Sequence, residues 1–176
     1  MKKVLLHVCC GVCAGWPIQR LQAEGYEVSC FYFNPNIGPR EEYELRRDAA
    51  RAAAGILGCG FEEGEYDHAA WRDRVYGMES HSEGGARCAV CFRVRLSAAF
   101  EAMRRRGADC FATTLTVSPH KNAVLINAIG ISLSPDRFLA IDFKKEDGFL
   151  KTTRFAAENG LYRQNYCGCP FSKKTL

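Results

Sequence analysis

Short apolar blocks separated by amphipathic stretches set the plan of this chain. Residues 3–8 form a brief apolar run that predicts a buried strand, and residues 28–33 are aromatic and β-rich and predict a second. Between them, the apolar spacing over 18–25 suits a helix that stops at Gly25. Asn34-Pro35-Asn36-Ile37-Gly38-Pro39 is turn-rich and predicts a loop. Residues 41–57, rich in Ala, Arg and Glu and followed by Gly58, predict the clearest helix. A strand over 61–66 follows, then Asp67 as the N-cap of a helix carrying Trp71 and Val75. Residues 81–87 predict a polar loop, and 91–106 a strong helix closed by Gly107. Beyond it, the pattern predicts a strand over 110–115, a helix opened by Ser118-Pro119, a last strand over 138–142, a final helix over 148–159 and a cysteine-bearing tail. Strands that alternate with helices predict one three-layer α/β domain over residues 1–176, with a mostly parallel sheet. Sites in such sheets form at the carboxyl ends of the strands, where Cys9-Cys10 and Thr113-Thr114 fall.

Composition then narrows the chemistry. With 47% hydrophobic and 25% charged residues, the 176-residue chain reads as a globular domain able to build its own core. Its apolar runs are far shorter than the roughly 18 residues of a membrane span. The basic tip at Lys2-Lys3 leads into polar and cysteine residues without an apolar signal core, so a cytoplasmic protein is expected. The net charge of +4, with local runs at Arg104-Arg105-Arg106, Lys144-Lys145 and Lys173-Lys174, is compatible with a nucleic-acid partner.

Ten cysteines are the departure from an ordinary composition. In a cytosolic chain of this size, clustered cysteines indicate metal or redox chemistry more often than disulfide staples. They fall into three groups: Cys9, Cys10 and Cys13; Cys88 and Cys91; Cys167 and Cys169. Cys30, Cys59 and Cys110 stand alone and read as small buried hydrophobes. Cys88-Ala89-Val90-Cys91 at a loop-to-helix junction lets two thiolates converge, and a helix N-terminus favours their anions. Adjacent Cys9 and Cys10 crowd a single tetrahedral ion but fit the corners of a cuboidal cluster. Spacing by itself leaves both a 4Fe-4S cluster and a four-cysteine zinc site open. The Cys167-Gly168-Cys169 tail suits either further metal ligands or a strained, easily reduced disulfide. Of His7, His68, His81 and His120, only His120 follows a strand end closely enough to stand out as a site residue. Asn34, Pro35, Asn36, Glu42, Tyr43 and Arg46 form a polar set that is either loop and helix capping or the wall of a pocket. No glycine-rich phosphate loop follows the first strand, which disfavours nucleotide hydrolysis.

Five ordered motifs carry a family resemblance: His7-Val8-Cys9-Cys10; Phe31-Tyr32-Phe33-Asn34-Pro35-Asn36-Ile37 with Glu42-Tyr43; Arg87-Cys88-Ala89-Val90-Cys91-Phe92 with Arg95-Leu96; Thr113-Thr114-Leu115 with Ser118-Pro119-His120-Lys121; and residues 161–169. Together they resemble the cobalamin-independent, iron–sulfur epoxyqueuosine reductases. The resemblance implies a Rossmann-like, HUP-type nucleotide-binding fold. It implies two-electron removal of the epoxide oxygen of epoxyqueuosine at the wobble position of tRNA, the last step of queuosine biosynthesis. It further implies that Cys9, Cys10, Cys88 and Cys91 hold a 4Fe-4S cluster and that Cys167 and Cys169 form a redox-active disulfide. An adjacent mononuclear iron, with Cys13 as one candidate ligand, and an electron donor belong to the same expectation. Val12 stands where such proteins usually carry a proline before this cysteine. The competing readings are a zinc-stabilised RNA-binding module and a cysteine-based thiol oxidoreductase without a cluster.

Overall fold

A computed structural model describes residues 1–172, so Lys173 and Lys174 lie outside the described residues. Four strands form one wholly parallel sheet: β1 (Lys2–Val8), β2 (Tyr26–Tyr32), β3 (Gly60–Glu63) and β4 (Cys110–Thr113), in the order β3-β2-β1-β4. The six helices are α1 (Gly11–Ala23), α2 (Arg40–Ile56), α3 (His68–Arg74), α4 (Ala86–Arg106), α5 (Ala123–Leu133) and α6 (Gly148–Glu158). One apolar cluster joins the sheet to α1, α2 and α6; another joins its opposite face to α4 and α5. These are the three expected layers. The strand order reverses direction between β1 and β4, and a crevice opens at the carboxyl ends there.

Several boundaries differ from expectation, three of them with a clear physical cause. The first helix begins at Gly11, so Pro17 lies inside it. A proline there removes an N–H and clashes with the carbonyl four residues back. The Thr152 hydroxyl of α6 enters the opened turn, donating to the Val12 carbonyl at 2.6 Å and accepting from the Trp16 N–H at 3.3 Å. Gly11 is dictated by packing, since a Cβ there would lie 2.6 Å from the Ala49 backbone of α2. Next, α5 starts at Ala123, not at Ser118. The Ser118 hydroxyl is occupied by the His120 N–H, while the Asn122 side chain caps Leu125. Thr114–Val117 is a 3-10 turn in between. Finally, the expected strand over 138–142 is reduced to one parallel bridge, Phe138 to Phe111. The chain curls away because Ile141 bonds back to Leu139 and gives its carbonyl to Thr116.

Candidate functional site

At the end of β1 the backbone turns directly into α1, and Cys10 takes the N-cap position ordinarily held by Ser, Thr, Asp or Asn. Its sulfur accepts the Cys13 N–H at 3.4 Å, so Cys13 folds back over Cys10. The Cys9, Cys10 and Cys13 sulfurs lie within 4.8 Å of one another, close enough to share one metal ion. Hydrogen bonds with the Cys10 and Cys13 thiols hold Cys9 well below the ordinary thiol range, and bonds to Cys10 and Cys9 together with burial push Cys13 well above it. The trio thus ionises first at Cys9. Thr114, just past β4, accepts the Cys9 N–H at 3.2 Å and donates its hydroxyl to the Cys9 sulfur at 3.5 Å. From the tail, the Gln164 amide donates to the Cys10 sulfur at 2.9 Å.

The second wall of the crevice is the first turns of α4. Arg87, Cys91 and Arg95 recur at four-residue intervals and share one buried face, with Cys88 beside it. The helix starts earlier than expected, so the cysteine pair lies within its opening turns. The Gly84 N–H donates to the Cys88 sulfur at 3.2 Å. Cys88, Cys91, Cys167 and Cys169 line one narrow cleft, together with Asn36, Arg95, His120 and Lys121. His120 therefore does face the site. His7 does not: its Nε2–H donates to the Phe33 carbonyl, and Nδ1 accepts from the Thr113 hydroxyl at 2.9 Å. Burial and the Arg95 charge hold His7 down to about 4, so it stays neutral as a strut. His68 is likewise structural, bonded to the Pro35 carbonyl at 2.6 Å.

Charge joins the two walls. Arg87 and Arg95 are 1% and 3% exposed, and neither has a carboxylate partner among the described residues. Arg95 donates to Asn34 Oδ1 at 2.6 Å, which leaves Nε unpartnered. The Arg95 charge favours thiolate at both Cys9 and Cys91, although burial dominates and raises Cys91. Lys121 acts in the same way on Cys9 and Cys167. A buried guanidinium without a counter-charge is costly, and a group of thiolates around a cluster carries the negative charge that offsets it. The donor set of sulfurs with amide and hydroxyl donors aimed at them also suits a cluster.

The tail is strapped down by the polar set noted in the sequence. Arg46 pairs with Glu42 at 2.6 Å, donates to the Tyr166 carbonyl at 3.0 Å and covers the Tyr166 ring. Tyr162 donates to Glu42 at 2.7 Å, and the Gly38 N–H bonds the Gly168 carbonyl. Gly168 has φ +98°, and a Cβ there would lie 2.8 Å from Ile37 and 2.9 Å from Arg46, so only glycine fits. The Cys169 hydrogen bond, helped by Ser172 and Lys121 and opposed by burial, lowers Cys167 to about 5; Cys169 is raised in turn. Tyr43 serves elsewhere, donating to Glu63. Sequence reasoning gave Arg95, Lys121 and Gln164 no role; for Arg95 the signal was the recurrence of Arg87, Cys91 and Arg95 on one helical face.

A family model described as Epoxyqueuosine reductase QueH matches residues 4–175. The Epoxyqueuosine reductase QueH of Streptococcus pyogenes serotype M1 is 33% identical over 180 residues, covering 97% of this chain and 70% of that protein. Its namesake from Thermotoga maritima (strain ATCC 43589 / DSM 3109 / JCM 10099 / NBRC 100826 / MSB8) is 35% identical over 178 residues, covering 98% and 91%. Among solved structures, the U34-tRNA thiolase NcsA from Methanococcus maripaludis with its 4Fe-4S cluster superposes with a TM-score of 0.58 at 14% identity, over 98% of this chain and 61% of that one. At that identity the likeness concerns the fold alone.

Proposed function

Because the chain belongs to the epoxyqueuosine reductase QueH family, we propose that it removes the epoxide oxygen of epoxyqueuosine at the tRNA wobble position with a 4Fe-4S cluster held by Cys9, Cys10, Cys88 and Cys91. It is an oxidoreductase of queuosine biosynthesis. The observation that carries the cluster assignment is the Arg95 guanidinium, buried beside Cys88 and Cys91 in the cleft and without a carboxylate partner among the described residues. Cys13 is the candidate ligand for an adjacent iron, since its sulfur lies with those of Cys9 and Cys10. A cluster transfers single electrons, and an iron with an open position is a Lewis acid for a leaving oxygen.

The chain's own residues supply the rest. Deoxygenation consumes two electrons and two protons and releases the oxygen as water. Oxidation of the Cys167 and Cys169 thiols to a disulfide yields that same number of electrons and protons, so the tail pair balances one turnover. An electron donor must then return the disulfide to dithiol. Cys167, with its lowered pKa, is the thiol poised to react. Lys121 and His120 sit at the cleft to receive an anionic nucleotide, and Asn36 offers a buried Oδ1 without a partner among the described residues. No helix among the described residues is long and apolar enough to cross a membrane.

Anaerobic purification with iron, sulfide and zinc analysis tests the reading, followed by turnover of tRNA carrying epoxyqueuosine. A brown protein with four sulfides and five irons per chain is expected, the fifth iron being the adjacent one. A colourless one with stoichiometric zinc would return the RNA-binding module, and turnover that survives iron removal would return the thiol oxidoreductase.

A further inference from the structure

The donors around the cysteine sulfurs come from four separate segments, and one of them belongs to the tail. Gln164 lies three residues before Cys167, in the stretch that Arg46, Glu42 and Tyr162 hold in place. Its Nε2 donates to the Cys10 sulfur at 2.9 Å, much closer than the 3.5 Å of the Thr114 hydroxyl on Cys9. Its Oε1 is buried with no partner among the described residues. A primary amide at this place leaves its carbonyl unsatisfied while its N–H reaches sulfur. The position is therefore not explained by capping or packing, and the sulfur contact is what the side chain gains.

We propose that Gln164 is a positioning residue that couples the cysteine tail to the cluster, donating to the Cys10 sulfur and thereby setting the cluster's reduction potential. The inference rests on the cluster assignment above. Hydrogen bonds to cluster sulfurs stabilise the more negative, reduced form and raise the potential. Since Gln164 and Cys167 share one short segment, any movement that carries the redox-active thiols away from the cleft also withdraws this donor. The cluster is then hardest to reduce when the tail is out of place, so electrons are accepted most readily with the two-electron pair docked.

The test is a redox titration of the anaerobic, iron-loaded full chain, followed by visible absorption and EPR, on the parent, Gln164→Met and Gln164→Asn. Methionine keeps the volume and removes the donor; asparagine keeps the polarity and is one methylene too short to reach. Both variants should retain the parent's iron content and shift the midpoint to more negative potential, with kcat lowered and KM for tRNA unchanged. A midpoint equal to the parent's in both variants overturns the proposal. So does loss of iron from both, which would make Gln164 part of the site's construction and not a modulator of an assembled cluster. A parent chain that binds no iron would refute the cluster assignment itself, which keeps the two failures apart.

Discussion

Arg95 sits with its charge between two cysteine groups, and that placement makes individual thiols unequal. Removing a thiolate from such a set leaves the guanidinium less compensated as well as removing a ligand. Cys88→Ala should accordingly strip or destabilise the irons, and a variant with the parent's iron content and activity would refute its place in the cluster. The tail thiols should respond differently. Cys167→Ser is expected to keep the parent's visible spectrum and lose turnover. In the reduced chain, Cys167 is lowered to about 5, so its alkylation rate should rise with pH through that value and be level by neutrality, while Cys169 stays slow. Mass-spectrometric mapping after iodoacetamide pulses at a series of pH values reads this directly; a midpoint in the ordinary thiol range would contradict it. At this scale the sequence was informative where chemistry is carried by residue type and spacing, as in the three cysteine groups. It was silent on Arg95 and Gln164, whose roles depend on partners 61 and 154 residues away in the chain.

Elements were legible where periodicity and caps agree. Asp67 caps α3 through the Ala70 N–H, and Gly107 closes α4 in the left-handed region, both as the residue types require. The start of α1 was hidden because Pro17 reads as a helix boundary, and only the Thr152 hydroxyl from α6 makes an interior proline tolerable there. Thr152 is fully buried, so Thr152→Val should leave the Val12 carbonyl and Trp16 N–H poorly satisfied and cost about 1–3 kcal/mol. Urea unfolding reads the cost, and an unchanged midpoint would mean that the hydroxyl does not bridge the turn. The segment 138–142 misled for the converse reason. Its β-rich composition is real, but a side-chain bond from Thr116 competes for the Ile141 carbonyl.

For the molecule as a whole, the layered parallel sheet with cysteines at its strand ends followed from the alternation of strands and helices, whereas the strand order and the RNA-facing surface did not. The Arg104-Arg105-Arg106 run lies at the far end of α4, about 24 to 27 Å along the helix from Cys88 at roughly 1.5 Å per residue. Its members pair with Glu101 and Glu62. Lys144 is spent on Asp142 and on the Thr116 and Lys121 carbonyls. Arg74 and Arg93, exposed on a groove that adjoins the cleft at Leu125, have no carboxylate partner among the described residues. Arg93→Gln should lower the log–log salt slope of tRNA binding by about 0.7 to 0.9 if that side chain neutralises one phosphate. Arg106→Gln should leave the slope unchanged, and equal effects from both would refute this orientation. A last consequence comes from Arg87, whose guanidinium serves the carbonyls of Met78, Glu79 and His81 and also the Ser172 hydroxyl. Two stretches far apart in the chain thus share one pin, and neither can open without unhousing its charge. Under native conditions they should exchange their amide hydrogens as a single cooperative unit, with matched opening free energies, and Arg87→Lys should loosen both together.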